Sequence, residues 1–320
     1  MNNESESLRI RCRNCGVHLD AGEMEPFSIV PCPVCGTKLR IPRRFDRYLL
    51  DRVCGRGTYT VIYRAIDPQL ARWVALKVLD TGTDGDAAGM GERFFAEAKL
   101  VAKLNHPAIL PVYNCGVAEG RPFLVTRYMA GGDLGKRRSS RTLPPLEKLL
   151  EIISAVAGGL QYANRTAGVV HHDVKPSNIL LAGDDEVRLG DFDLADVRRH
   201  GDITTPCAAG WVRPAYASPE RLLTGGEDCR GDIFSLGVTL YELLGGGMPF
   251  GYEGGPEELY ERRREMAFPA LCTVNPEVPE PLSDLATRML DFAPENRPGY
   301  PELLAELDKN LRSLRDRKAK

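Results

Sequence analysis

Residues 169–181 read VVHHDVKPSNILL, and this stretch constrains the fold more than any other. The apolar pieces GVV and NILL bracket Asp173, Lys175 and Asn178, and strand-like flanks of that kind belong in an interior. Three polar groups held in such a loop lose their water, which is costly unless they satisfy one another or a ligand. The chain must therefore build a core around a charged loop, and the loop must have a task. Metal binding by the histidine pair does not supply it. Adjacent histidines point in different directions, and the helical spacing with two histidines four residues apart is absent.

A core of that kind needs length. The 320 residues suffice for two or three domains, and 43% hydrophobic with 27% charged residues is an ordinary balance for a soluble globular protein. A formal net charge of -2 sets up no general attraction to nucleic acid or anionic membrane. The basic end RSLRDRKAK, Arg312 to Lys320, reads as a solvated helix end. No apolar run reaches the ~18 residues of a membrane span. The start MNNESES is not a signal peptide, so the expected location is cytoplasmic. A basic tail also fits the approach to a membrane helix, which leaves a span beyond residue 320 open.

Of nine cysteines, four explain themselves by spacing. Cys12 and Cys15 form one CxxC pair and Cys32 and Cys35 another, with 16 residues between, and Gly16 and Gly36 follow directly. Four thiolates so placed fit tetrahedral zinc at ~2.3 Å, which substitutes for a core in a segment too short to bury one. The arrangement resembles a zinc ribbon over residues 1–43, with a structural metal and an unknown partner; redox-active CxxC pairs are the competing reading. The ribbon is expected to unfold without metal while the rest of the chain stays folded. Cys115, Cys229 and Cys272 read as scattered core residues, and Cys54 and Cys207 as loop residues.

From Tyr48 to Asp67 the chain reads strand, glycine turn, strand, with Val61, Tyr63 and Ala65 alternating on the return. A dinucleotide-binding glycine loop would open a helix, whereas Gly57 leads into the β-branched run TVIY. Backbone amides of a glycine loop between strands can instead lie over phosphates. WVALKVL, Trp73 to Leu79, is an apolar strand carrying Lys77, and Glu92 to Leu104 has Phe94, Ala98 and Val101 at helical spacing with Glu97 beside them. A lysine in a buried strand needs a counter-charge, which Glu97 can supply; a snorkelling lysine and a solvated glutamate are the bland alternative. HPAIL is expected to end the helix at Pro107.

Glycine loop, strand lysine, helix glutamate, HHDVKPSN and the DFD of VRLGDFDLADV together resemble the protein kinase family, in the family's order, over roughly residues 48–312. Further along, PAYASPE, DIFSLGVTLYELLGGGMPF from Asp232, and APENRP with Arg297 as partner of Glu220 extend the match. The resemblance implies an α+β, two-lobed kinase-like fold preceded by the small ribbon. A β-rich lobe would span about 48–127 and a larger helical lobe about 128–312, with 313–320 as a tail. It also implies ATP- and magnesium-dependent phosphoryl transfer to serine or threonine hydroxyls of protein substrates. Such chemistry is mostly positioning and charge neutralisation.

By the same resemblance Gly55 and Gly57 cover the phosphates, Lys77 holds them and Glu97 orients Lys77. Ile62, Ala75 and Leu180 sandwich adenine, with Thr126, Tyr128 and Met129 along its edge. Asn178 and Asp191 bind magnesium, which wants oxygen ligands. Asp173 acts as base, Lys175 neutralises the transferring group, and His171 packs near Phe192. Thr60, His172, Asp193 and Arg213 depart from the family pattern. His172 stands where an arginine usually collects an activation-segment phosphate, so phosphates on Thr204 or Thr205 are expected to matter less. A pseudokinase scaffold is the alternative. Nucleic-acid binding by the ribbon would use Arg9, Arg11, Arg13, Lys38 and Arg40, but Phe27 is the lone aromatic there, and the reading sets it aside.

Overall fold

The computed structural model describes residues 8–57, 59–80, 87–183, 186–192, 195–197, 214–224 and 226–318. Its first part is a repeat of two hairpins: β1 (Arg9–Arg11) with β2 (His18–Asp20), and β3 (Ile29–Pro31) with β4 (Lys38–Arg40). Each turn is closed the same way. The Cys12 amide donates to Val17 O at 2.8 Å and Gly16 to Cys12 O at 2.9 Å; Cys32 donates to Thr37 O and Gly36 to Cys32 O at the same two distances. Gly16 and Gly36 sit at φ 78° and 70°, a left-handed conformation that a side chain would strain. Cys12, Leu19, Cys32 and Leu39 make the only hydrophobic cluster of these hairpins among the described residues.

After Ile41 and Pro42 the chain enters a six-stranded antiparallel sheet of β5 (Arg43–Phe45), β6 (Tyr48–Arg56), β7 (Thr60–Asp67), β8 (Arg72–Leu79), β9 (Val112–Ala118) and β10 (Arg121–Arg127). The spatial order is β5-β6-β7-β8-β10-β9. Strict alternation on β7 buries Val61, Tyr63 and Ala65 with Val74, Leu76, Val78, Phe123 and Val125 on one face. On the opposite face Ile62 pairs with Lys77, and Lys77 with Leu124. Helix α1 (Ala87–Val101) sets Phe94 and Ala98 on Leu79 and Leu124.

Hairpins and sheet fall in one compact unit, Met1–Ala98 with Val112–Tyr128. β5 begins at Arg43, and Phe27 packs on the sheet's core. The helix expected over Glu92–Leu104 starts earlier and stops at Val101, where Leu104 N–H closes on Val101 O at 2.9 Å, a three-residue turn that ends α-helical bonding before Pro107. Cys115 is exposed on edge strand β9, Cys229 and Cys272 are half-buried, and Cys54 lies within β6, so none is a buried core residue. β9 is an edge strand with alternate residues facing solvent, a pattern that the apolar Val112, Tyr113, Val117 and Ala118 around Cys115 conceal.

The second unit, Lys99–Pro111 with Met129–Lys320, is mainly helical. Short strands β11 (Gly132–Asp133), β12 (Val169–Val170), β13 (Ile179–Ala182), β14 (Glu186–Leu189) and β15 (Asp196–Val197) alternate with its early helices. Helices α2 (Leu134–Ser139), α3 (Leu146–Ala167), α4 (Pro219–Thr224), α5 (Cys229–Gly245), α6 (Pro256–Glu265), α7 (Leu271–Val274), α8 (Glu280–Met289) and α9 (Tyr300–Lys318) complete it. α5 is buried from Gly231 to Leu244, the mark of a helix around which others pack. α9 runs unbroken from Tyr300 to Lys318, and Arg315 reaches Glu147 at 3.0 Å and Glu151 at 2.6 Å on α3. No helix among the described residues is long and apolar enough to cross a membrane.

Candidate active site

The charged loop lies in the second unit between β12 and β13, and its backbone hangs from one carboxylate. Asp232, on the first turn of α5, accepts His171 N–H and His172 N–H at 2.8 Å each. His171 accepts Asp173 N–H at Nδ1 (3.2 Å), which assigns the proton to Nε2 and lets it donate to Gly190 O at 3.2 Å. Its ring packs 4.4 Å from Phe192. Asp173, Lys175 and Asn178 are 6%, 5% and 6% exposed, and they satisfy one another. Lys175 Nζ pairs with Asp173 Oδ2, and Asn178 Nδ2 donates to Asp173 O at 2.8 Å and to Oδ2 at 3.0 Å. Burial pushes the Asp173 carboxyl up, Lys175 draws it back, and the charge of Asp191 raises it again.

Asn178 N–H closes a one-turn 3-10 helix on Lys175 O at 3.0 Å, and Gly190 N–H reaches Asn178 O at 2.9 Å, so Asn178 and the Asp191 that follows Gly190 come from adjoining backbone. Because the Asn178 amide nitrogen is committed to Asp173, its oxygen is the ligand atom left, and with the Asp191 carboxylate it gives the oxygen donors magnesium prefers. Asp191 sits at φ 65°, a position that costs a non-glycine residue roughly 1 kcal/mol or more. Leu180 is half-buried on β13. Asp193, Arg213, Thr204, Thr205 and Cys207 lie outside the described residues.

In the first unit, Gly55, one residue before the end of β6, lies opposite Ile62, and Gly57 N–H donates to Thr60 O at 2.8 Å. Register puts Ile62, Lys77, Ala75 and Thr126 on one face of the sheet: Ile62 pairs with Lys77, and Ala75 with Thr126. Lys77 is half-buried, with Nζ 5.9 Å from the Phe94 ring of α1. Glu97 is one turn further along α1, and its side chain lies outside the described residues. Tyr128 follows β10 with Arg64 5.9 Å from its ring, and Met129, buried, opens the second unit's main stretch.

The four thiols lie together. Cys12 and Cys35 Sγ are 3.6 Å apart, as are those of Cys15 and Cys32, and all four fall within 4.8 Å of one another. Sulfurs at ~2.3 Å from one tetrahedral centre stand ~3.8 Å apart, so the set fits zinc. The Thr37 hydroxyl, then the Asn14 side chain, hold the Cys35 thiol down at about 5.

Sequence reasoning missed the partners of His172 and the role of Arg263. His172, treated as a lost arginine, binds Glu227 through Nδ1 at 2.7 Å. Glu227 is fully enclosed and also accepts Arg221 at 3.0 Å and the Ser218 hydroxyl. Burial alone would raise Glu227, but the hydrogen bond and charge of His172 with the charge of Arg221 hold it at about 2. Arg263 of α6 donates to Pro214 O at 2.7 Å and Ala215 O at 2.9 Å. Only the acid five residues before Asp232, inside an otherwise helix-opening run, was there to be noticed. The pair expected between Arg297 and Glu220 is present as a two-pronged bridge at 2.7 and 2.8 Å.

Known proteins resemble this chain. The serine/threonine-protein kinase PknL of Mycobacterium tuberculosis is 39% identical over 218 residues, covering 68% of this chain and 54% of that protein. PknB of Mycobacterium leprae, also a serine/threonine-protein kinase, is 33% identical over 232 residues, 71% of this chain and 37% of that one. The chain thus spans about half or less of the length of these relatives. A crystal structure of a mutant PknI kinase domain from Mycobacterium tuberculosis matches with a TM-score of 0.63 at 28% identity, over 85% of this chain and 98% of the other. The family model for the protein kinase domain matches residues 48–307, from the first long strand of the sheet well into α9, and on that extent the chain belongs to the protein kinase family.

Proposed function

We propose that the protein is an active serine/threonine protein kinase that uses ATP and magnesium, with residues 48–312 as the kinase domain and residues 1–43 as a ribbon holding one structural zinc. The observation that carries the catalytic reading is the buried Asp173 carboxylate, whose Oδ2 takes both Lys175 and Asn178. Oδ1 is then the oxygen that accepts the proton of a substrate hydroxyl, and an elevated affinity for that proton suits a general base. Lys175 offsets the charge of the transferring group. Asn178 and Asp191 hold magnesium, which when bound neutralises phosphate charge. Gly55 and Gly57 offer backbone amides to the phosphates, and Lys77, oriented by Glu97, holds them. Ile62, Ala75 and Leu180 clasp adenine, with Thr126, Tyr128 and Met129 along its edge. Serine/threonine choice rests on the kinship with PknL and PknB. A reducing, cytoplasmic setting suits the free thiols of the described cysteines.

Incubating the full chain with labelled ATP, magnesium and a generic basic protein tests this. Asp173→Asn should lower transfer at least 100-fold while binding of an ATP analogue stays within about twofold. Equal background turnover in both proteins would hand the function to a non-catalytic scaffold.

A further inference from the structure

The hairpins touch the sheet at three places, each traceable to a residue near the cysteines. Arg13, between Cys12 and Cys15, lies 5.9 Å from the ring of Trp73 on β8. Phe27, in the link between the two hairpins, stacks on Tyr63 of β7 at 6.1 Å between centroids and 15° between planes. Ile41 is fully buried and leads through Pro42 directly into β5, which pairs with β6.

Phe27 owes its place to the second hairpin. It sits at φ 68°, donates its N–H to Ile41 O at 2.7 Å and accepts Arg40 NH1 on its carbonyl at 3.2 Å. Arg40 ends β4, and β4 with β3 flanks the turn carrying Cys32 and Cys35. Apart from that turn little holds the hairpin, because Cys12 and Cys32 are themselves two of the four buried residues of its cluster. Segments this small without metal do not sustain a fold. On the other side of the stack, Tyr63 pairs with Val53 and Leu76 and adjoins Ile62, so it lies among the strands that carry Gly55, Ala75 and Lys77.

We propose that the four-cysteine ribbon is a metal-dependent brace for the six-stranded sheet, so that metal occupancy at Cys12, Cys15, Cys32 and Cys35 sets the order of β6, β7 and β8 and, through them, the affinity for nucleotide. The proposal rests on the zinc reading given above. The ribbon's partner is then this chain's own sheet, and Phe27, turned onto Tyr63, is unavailable as a platform for bases. Loss of metal frees the second hairpin, releases Ile41 and Phe27, and uncovers Tyr63.

Hydrogen exchange on the full chain, with zinc content measured on the same samples, decides the matter. Stripping zinc with a chelator should raise exchange across residues 48–79 at least tenfold and weaken binding of a fluorescent ATP analogue at least threefold, and added zinc should restore both. Phe27→Ala should keep one zinc per chain yet show raised exchange in residues 48–79 that chelation changes by less than twofold. A chain that carries zinc but whose sheet and nucleotide affinity ignore its removal overturns the brace and leaves the zinc reading standing. A chain that never binds zinc overturns both.

Discussion

The ribbon, residues 8–41, and the charged loop, residues 171–178 with Asp191 beside it, solve the same problem with opposite means. Both are short, irregular and twisted through left-handed positions, at Gly16, Phe27 and Gly36 in one and His172 and Asp191 in the other. Both wrap around a knot of acidic groups. In the ribbon these are four thiols within 4.8 Å of one another, and under the proposed zinc reading the cation that would reconcile them comes from solution. In the loop they are Asp232 and Glu227, and the chain supplies every donor: two backbone amides, His172, Arg221 and Ser218. A fold tied by its own donors is constitutive, whereas one tied by a borrowed ion is conditional.

The largest effect that would sharpen this contrast comes from Glu227→Ala. It strands His172 and the buried guanidinium of Arg221, and urea unfolding of the helical unit should show a loss of about 3–5 kcal/mol, unchanged by chelator. Chelator sensitivity of that loss would break the contrast. Acid should have a comparable effect on the wild type. Glu227 is held at about 2, below the ordinary carboxylate value of 4.5, so its stabilisation is present above pH 4.5 and drains away as pH falls toward 2. At about 1.4 kcal/mol per unit this amounts to about 3 kcal/mol, and in Glu227→Ala that slope should flatten. Asp232→Asn should cost less, about 1–3 kcal/mol, because the amide still accepts one of the two N–H groups and opposes only the other. Phosphoryl transfer should fall along with the midpoint. Smallest is Arg315→Ala on α9, whose solvent-screened pairs with Glu147 and Glu151 should leave the midpoint of a thermal melt almost unmoved.

How far each region could be read in advance follows from where its partners lie. The ribbon's ligands are 23 residues apart from first to last, and spacing alone brings them together. Alternation on β7 and the apolar stripe Phe94, Ala98, Val101 are equally local, and the sheet and α1 follow from them. The catalytic loop was legible as a list of residues because its polar groups stand in an apolar run. What holds it was not: Glu227 is 55 residues from His172, and no periodicity links them. The same limit hid the stack of Phe27 on Tyr63 and the ion pairs of Arg315 with α3. Cys115 misled for another reason, since an apolar-looking strand at a sheet edge keeps one face in water.

Synthesis delivers the two hairpins before anything they lean on. The four clustered thiols and every member of their small cluster lie at or before Ile41, whereas Tyr63 is added on the order of seconds later at ~5–20 residues per second. Under the proposed brace, metal captured in that interval would present Phe27 while β7 is still being made, and the new strand would grow onto a surface already waiting for it. In a metal-poor cell the same strands emerge with nothing to close over them, at the stage when unpaired edges aggregate most readily. Scarcity of zinc would then be registered at birth, as the fraction of chains that ever reach a usable fold, and a later supply of the ion would rescue only the chains not yet lost.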